Sequence, residues 1–123
     1  WAKGAHGGTY GGNPVSCAAS LAVLEELYEG GVLENVKKMG EVVRGKFYDL
    51  QKKYDVIGDV RGLGLMIGID VKGERTNKEL AAKLIQSGLL VLTAGPGLRL
   101  LPPLVITQEE MDKGLAIMKA ALS

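Results

Sequence analysis

Residues 6–14 read His6-Gly7-Gly8-Thr9-Tyr10-Gly11-Gly12-Asn13-Pro14. This glycine-rich loop predicts the start of a helix, because Asn13 can cap the first free N–H groups and Pro14 has no N–H to leave unpaired. Its glycines let the backbone take positive φ and approach a ligand closely. With a hydroxyl at Thr9 ahead of a helix N-terminus, the loop suits a phosphate group. The same residues also fit a plain turn followed by a capped helix, so both interpretations stay open.

The composition is that of an ordinary globular domain. The chain has 123 residues, is 46% hydrophobic and 24% charged, and carries a formal net charge of +1. Its length suits one domain with a modest core. Aromatic residues make up only 5% and no basic run is present, which argues against a nucleic-acid partner. No apolar stretch reaches the roughly 20 uncharged residues that a membrane span requires.

Cysteine and histidine are too few to form a metal or nucleophilic centre. Cys17 is the only cysteine, which excludes an internal disulfide and predicts a cytoplasmic location. Because it stands among small residues of the first predicted helix, we expect it to be buried by packing. His6 is the only histidine and is interpreted as a side chain that fixes the loop. We therefore predict no metal site and no nucleophile–base pair.

Two helices follow the loop. The first covers residues 14–29 and is apolar on nearly every side in its first half, which predicts that another domain or subunit covers it. The second covers residues 32–54, with one apolar stripe and an opposite charged face that we interpret as solvated. The stripe consists of Leu33, Val36, Val43, Phe47, Leu50 and Tyr54.

The second half of the chain predicts a small sheet. One strand is expected at residues 65–70, where apolar residues alternate, and two more at 89–93 and 98–101 with a turn between them. Arg61, just ahead of the first strand, is interpreted as a partner in a structural salt bridge, with closure over an active site as the alternative. For Arg99 the pattern alone leaves two possibilities open, a solvated edge-strand residue and a grip on a carboxylate.

Two further helices are marked by capping boxes. Thr76 with Glu79 starts a helix that runs to about Gln86, and Thr107 with Glu110 starts the last one. The resulting element order predicts an α+β fold, a small and mostly antiparallel sheet with helices on one face.

Three separated stretches carry a family resemblance. They are residues 6–14 with the following Ser16-Cys17-Ala18-Ala19, then Val60-Arg61-Gly62-Leu63-Gly64-Leu65-Met66-Ile67-Gly68, and residues 90–95 with Leu98-Arg99-Leu100-Leu101-Pro102-Pro103-Leu104. In order and spacing they resemble the class III pyridoxal-phosphate aminotransferases, and within that class the acetylornithine aminotransferases most. The resemblance spans essentially the whole chain and implies the C-terminal small domain of a fold-type I enzyme.

The resemblance also implies roles for individual residues. Thr9, together with Gly8, would contact the phosphate of pyridoxal phosphate bound mainly by the partner subunit of a homodimer. Gly8 departs from the family, where serine is common, and Ala5 stands where an acidic residue is frequent. Arg99 would hold the α-carboxylate of the amino-acid substrate and of 2-oxoglutarate. No catalytic residue is assigned, because the Schiff-base lysine and the aspartate that pairs with the pyridine nitrogen would lie upstream.

Several expectations about the whole protein follow from the resemblance. Because the chain opens on Trp1, we expect a fragment, inactive alone, with residues 1–31 as phosphate loop and connecting helix of a large domain and 32–123 as the small domain. The implied reaction is transfer of the distal amino group of acetylornithine to 2-oxoglutarate in arginine biosynthesis. Ornithine, succinylornithine or 4-aminobutyrate as donor, and a non-enzymatic α+β interaction module, remain the alternatives.

Overall fold

The computed structural model describes residues 1–122. The chain divides into two compact units, a first unit Trp1–Val32 and a second unit Leu33–Ser123. Across the described residues, no helix is both long enough and apolar enough to cross a membrane.

The first unit contains one regular element, helix α1 over Pro14–Tyr28. Its start is as predicted: Oδ1 of Asn13 accepts hydrogen bonds from the N–H groups of Val15 at 3.0 Å and Ser16 at 3.2 Å. No residue of α1 is buried, and the thiol-bearing Cys17 is exposed. The prediction that Cys17 is buried is therefore wrong for this chain. The physical reason is that so small a unit has no core into which a helix that is apolar all round can pack.

The other three helices and the four strands lie in the second unit, except that the first of these helices begins at Val32, the last residue of the first unit. They are α2 Val32–Gln51, β1 Ile57–Leu63, β2 Met66–Val71, α3 Asn77–Gln86, β3 Leu92–Ala94, β4 Gly97–Leu100 and α4 Gln108–Leu122. The strands form one sheet in the order β1-β2-β4-β3, and every neighbouring pair is antiparallel. The predicted α+β fold with a small antiparallel sheet is confirmed.

The sequence pattern predicts one strand where the structure has a hairpin. Leu63 at the end of β1 pairs with Met66 at the start of β2, so that Gly64 and Leu65 form a two-residue turn. Gly64 has φ +54°, which glycine adopts without steric cost. Glycines at 58 and 62 interrupt the alternation of apolar side chains in β1, and this hides the strand from a pattern search.

Two predicted element ends also move. Helix α2 stops at Gln51 rather than at residue 54, and the chain continues in a turn in which the N–H groups of Lys53 and Tyr54 both donate to the carbonyl of Leu50. Strand β3 begins at Leu92 rather than at residue 89, because the N–H of Leu89 still donates to the carbonyl of Leu84 at the end of α3.

Both capping boxes form as predicted. The hydroxyl of Thr76 accepts from the N–H of Glu79, whose carboxylate accepts from the N–H of Thr76 in return. Thr107 and Glu110 make the same reciprocal pair at the start of α4. These four bonds satisfy N–H groups that a helix N-terminus leaves free.

The core lies between one face of the sheet and the helices of the second unit. Its largest fully buried side chains are Phe47, Ile67, Leu84, Leu98 and Val43. The predicted stripe of α2 is confirmed at Val43 and Phe47, which are fully buried. Val36, Leu50 and Tyr54 are partly buried and pack against the core. Leu33 is the exception and is exposed.

Helix α2 approaches the β1–β2 turn so closely that only glycine fits. A Cβ atom on Gly40 would clash with the carbonyl oxygen of Gly64. The same carbonyl accepts a hydrogen bond from Nη1 of Arg44 at 3.3 Å, which ties the helix to the turn. Close packing of this kind leaves no room for relaxation.

We predict that Gly40→Ala lowers the free energy of unfolding by roughly 1–3 kcal/mol, because helix and turn must move apart. Gly45→Ala is the matched control on the same helix, since a Cβ atom there meets nothing within 4 Å. There alanine is expected to stabilise the helix by about 0.5–1 kcal/mol. Urea denaturation of the two variants measures both effects, and shifts of the same sign would contradict the packing described.

Candidate functional site

The glycine-rich loop of the first unit leaves its polar groups available. Thr9 is exposed, as are Gly8 and the other residues from 6 to 12. The N–H of Asn13 donates to the carbonyl of Tyr10 at 3.3 Å and closes the loop into the helix. Cβ atoms on Gly7 or Gly8 would meet nothing within 4 Å. The loop thus presents the hydroxyls of Thr9 and Tyr10 and a run of backbone N–H groups on an open surface.

The helix N-terminus is less available than the sequence suggests. Asn13 occupies the N–H groups of Val15 and Ser16 with its side chain, and its carbonyl accepts from the N–H of Cys17 at 2.9 Å. Because Pro14 has no N–H, the first turn of α1 has no free donor among these residues. An anion at this loop would be held by the Thr9 hydroxyl and loop N–H groups rather than by the helix end.

His6 packs against Trp1 at the start of the chain. The two ring centroids lie 4.9 Å apart at an interplanar angle of 62°, an edge-on aromatic contact. This arrangement agrees with the interpretation of His6 as a side chain that fixes the loop.

Arg99 lies in the interior of the sheet. It stands opposite Gly68 of β2 and Leu92 of β3, so the alternative of a solvated edge-strand residue is wrong. Alternation along β4 sends Leu98 into the core and Arg99 to the face that the helices of this unit do not cover.

The guanidinium of Arg99 is partly buried and incompletely bonded. Its Nε is shielded from solvent and has no hydrogen-bond partner. Arg99 takes part in none of the ion pairs formed within residues 1–122. A buried donor without an acceptor costs free energy, about 1–3 kcal/mol. The Nε donor of Arg99 is therefore left unsatisfied by the described residues.

Arg61 lies on the same face, with its acceptors in place. In the cross-strand row it is separated from Arg99 by Gly68, and its side chain passes over that glycine. Nη2 of Arg61 donates to Asp70 at 2.8 Å and Nη1 to Asp59 at 3.0 Å. The structural salt bridge expected for Arg61 is present.

These bonds shift the ionisation of both groups. Hydrogen bonding to Arg61 holds the pKa of Asp70 below its ordinary value, and the carboxylates of Asp70 and Asp59 raise the already high pKa of Arg61. The guanidinium of Arg61 is thus bonded to two carboxylates, whereas the Nε of Arg99 has no acceptor.

Two asparagines, which the sequence analysis did not single out, hold the segments on either side of β4. Nδ2 of Asn77 donates to the carbonyls of Gly95 and Gly97, at 3.0 Å each. Nδ2 of Asn35 donates to the carbonyls of Leu104 at 2.8 Å and Ile106 at 3.2 Å. No sequence signal marks these contacts, because they join residues far apart in the chain. Within the part of the chain that the structure describes, no cluster of potential metal ligands occurs.

The fold occurs in aminotransferases of known structure. An amine transaminase from an uncultivated Pseudomonas species, solved in its pyridoxal-phosphate-bound form, superposes with a TM-score of 0.86 at 32% identity, covering 96% of this chain and 29% of that one. The family model described as Aminotransferase class-III matches residues 1–122, and the chain belongs to that family.

Curated relatives are similar over nearly the whole chain. The acetylornithine aminotransferase of Caldanaerobacter subterraneus subsp. tengcongensis is 43% identical over 121 residues, covering 98% of this chain. The 5-aminovalerate aminotransferase DavT of Pseudomonas putida is 44% identical over 128 residues, covering 96% of the chain. In both comparisons the match takes up only 30% of the relative's length.

We predict that Arg61→Gln raises the pKa of Asp70 toward its ordinary value, because the charged hydrogen bond that favours the carboxylate is lost. The lowered pKa also means that the pair stabilises the fold above the unfolded-state pKa, and that this contribution disappears as pH falls through the folded-state pKa. An NMR titration of the side-chain carboxyls measures the shift. Glu79, whose pKa is lowered by hydrogen bonds from Thr76, serves as internal control and stays unchanged. An unmoved Asp70 would contradict the assigned cause.

Proposed function

We propose that this chain is the C-terminal part of a pyridoxal-phosphate-dependent aminotransferase that moves the distal amino group of N-acetylornithine to 2-oxoglutarate. The proposal includes a homodimeric, cytoplasmic enzyme of arginine biosynthesis, with residues 1–31 belonging to a large domain and 32–123 forming the small domain. Membership of the class III family and the similarity to an acetylornithine aminotransferase support it. Because the Schiff-base lysine would lie upstream, we infer that the chain by itself is inactive.

The observation that carries the proposal is that the Nε of Arg99 is buried without a hydrogen-bond acceptor. Arg99 also forms no ion pair within the described residues, while the neighbouring Arg61 has two carboxylates. A planar donor fork matches a carboxylate in two parallel hydrogen bonds, and both proposed substrates carry carboxylates. In this role Arg99 binds and orients the substrate and takes no part in proton transfer.

The loop around Thr9 fits the phosphate of the cofactor. A phosphate needs several donors, and the loop offers the exposed Thr9 hydroxyl with neighbouring N–H groups that can approach closely where Gly8 has no side chain. When bound, pyridoxal phosphate supplies an electron sink for the carbanion formed at the substrate. The missing serine hydroxyl at Gly8 would leave more of the phosphate binding to backbone groups.

The exposed helix α1 supports a covering domain or subunit. Its apolar side chains are exposed to an extent unusual for a folded enzyme, with Val15 at 78%, Leu21 at 61% and Val23 at 58%. Exposed apolar side chains in this number indicate an interaction site. In the proposed homodimer this surface lies inside the assembled enzyme, and Thr9 reaches the cofactor of the partner subunit.

The amino donor is tested by kinetics on the full-length protein. We expect kcat/KM for N-acetylornithine to exceed that for ornithine, succinylornithine, 4-aminobutyrate and 5-aminovalerate. The DavT relative is the observation that favours the last of these as the rival donor. A donor other than N-acetylornithine with equal or higher kcat/KM would overturn the substrate assignment while leaving the aminotransferase class intact.

We predict that Arg99→Ala in the full-length protein weakens the binding of both substrates by about 2–5 kcal/mol, because a charge-assisted pair loses one partner. Arg99→Lys keeps the charge but not the fork, and is expected to recover only part of the loss. Arg61→Ala is the control, since it removes an arginine from the same face without touching the proposed carboxylate site. Steady-state KM values for both substrates measure the loss, and an unchanged KM in Arg99→Ala would overturn the proposed carboxylate-binding role.

A further inference from the structure

We propose that Asn77 and Asn35 are positioning residues that fix strand β4 at both ends and thereby set the place of the Arg99 guanidinium. The inference rests on the proposed role of Arg99 in binding a substrate carboxylate. In this role the two asparagines hold Arg99 in position and contact neither substrate nor cofactor.

Strand β4 is paired along its whole length, but its ladder of backbone hydrogen bonds stops at both flanks. Strand β4 has four residues and its partner β3 has three. Pro96 precedes the strand, and Pro102 and Pro103 follow it. Proline has no N–H to donate, so neither flank can continue a ladder of backbone hydrogen bonds. On the incoming side, the carbonyl of Pro96 accepts only a long 3.4 Å bond from the N–H of Val71.

Asparagine side chains supply the missing constraints from two different helices. Asn77 is the first residue of α3 and donates to the carbonyls of Gly95 and Gly97, on either side of Pro96. Asn35, in the first turn of α2, binds two carbonyls just beyond the double proline. A side-chain amide nitrogen has two N–H donors, and in each asparagine both are used.

The location of the tethers connects them to the function of Arg99. Arg99 lies two residues after Gly97, whose carbonyl Asn77 holds, and five residues before Leu104, whose carbonyl Asn35 holds. A two-pronged bond to a carboxylate depends on direction, and a displacement of about 1 Å at such a contact can cost a factor of about 100 in rate. Tethers at both ends therefore fix the guanidinium along the strand axis.

A matched control exists in the same sheet. Nε2 of Gln51 donates to the carbonyl of Gly58 at 2.5 Å, which is the same amide-to-carbonyl chemistry on edge strand β1. Losing this tether is expected to cost stability without disturbing β4.

The test compares Asn77→Asp, Asn35→Asp and Gln51→Glu in the full-length protein. Each change keeps the side-chain shape but replaces the donor with a carboxylate facing carbonyl oxygens. The readouts are the dissociation constant of glutarate by calorimetry, KM against kcat for both substrates, and the melting temperature. Glutarate is a dicarboxylate without an amino or keto group, so it reports carboxylate binding without reaction. Where an aspartate variant does not fold, Asn77→Ala and Asn35→Ala remove the donors without adding charge.

We expect each asparagine variant to bind glutarate about tenfold more weakly and to raise KM far more than it lowers kcat, as for a misplaced two-pronged contact. Gln51→Glu is expected to lower the melting temperature comparably while leaving glutarate binding unchanged. If the asparagine variants bind glutarate as tightly as Gln51→Glu does, the positioning role is overturned.

Arg99→Ala, measured in parallel, distinguishes a failure of the proposed carboxylate site from a failure of the positioning role. If it weakens glutarate binding and the asparagine variants do not, only the positioning role fails. If Arg99→Ala itself binds glutarate normally, the proposed carboxylate site fails, and the positioning role fails with it.

Discussion

Register is the constraint on which the second unit depends. Leu98 enters the core only if Arg99 faces the opposite side of the sheet, and a slip of one residue would bury a guanidinium and expose a leucine. Close approach at Gly97 supports the observed register, because a Cβ atom there would clash with the carbonyl oxygen of Ile69 on β2. The position of the charge and the packing of the core are therefore set by the same pairing.

Two arginines lie on the sheet face opposite the helices, and they differ in their hydrogen-bond partners. Arg61 is held by Asp70 and Asp59 across and along the sheet, and its charge is neutralised within the unit. Arg99, across Gly68 in the same row, has a shielded Nε without an acceptor. Unmet hydrogen-bonding capacity in a folded chain is a cost that concentrates at functional sites. This contrast supports the proposal that Arg99 binds a group outside the unit.

Local sequence signals predicted the features that depend on neighbouring residues. The Asn13 cap and the capping boxes at Thr76 and Thr107 formed as expected because donor and acceptor lie within three residues of each other. Strand β1 was missed because its glycines break the alternation that reveals a strand. The burial of Cys17 was predicted wrongly, since burial depends on what packs against α1 rather than on α1 itself.

Contacts between distant residues lay beyond the reach of the sequence patterns. Asn35 is 69 residues from Leu104 and Asn77 is 20 from Gly97, and nothing in either local pattern marks a tether. The interior position of Arg99 also required the strand order, because an alternating pattern does not say which strands lie at the edges. The motifs gave the family and the candidate residues, whereas the sheet showed that one of those residues is left without an acceptor.

A crystal structure of the full-length protein with glutarate bound shows directly whether Arg99 holds a carboxylate. We expect one carboxylate of glutarate to accept two hydrogen bonds from the guanidinium of Arg99. A glutarate carboxylate held by another cation, with Arg99 bonded to a side chain elsewhere in the protein, would contradict it.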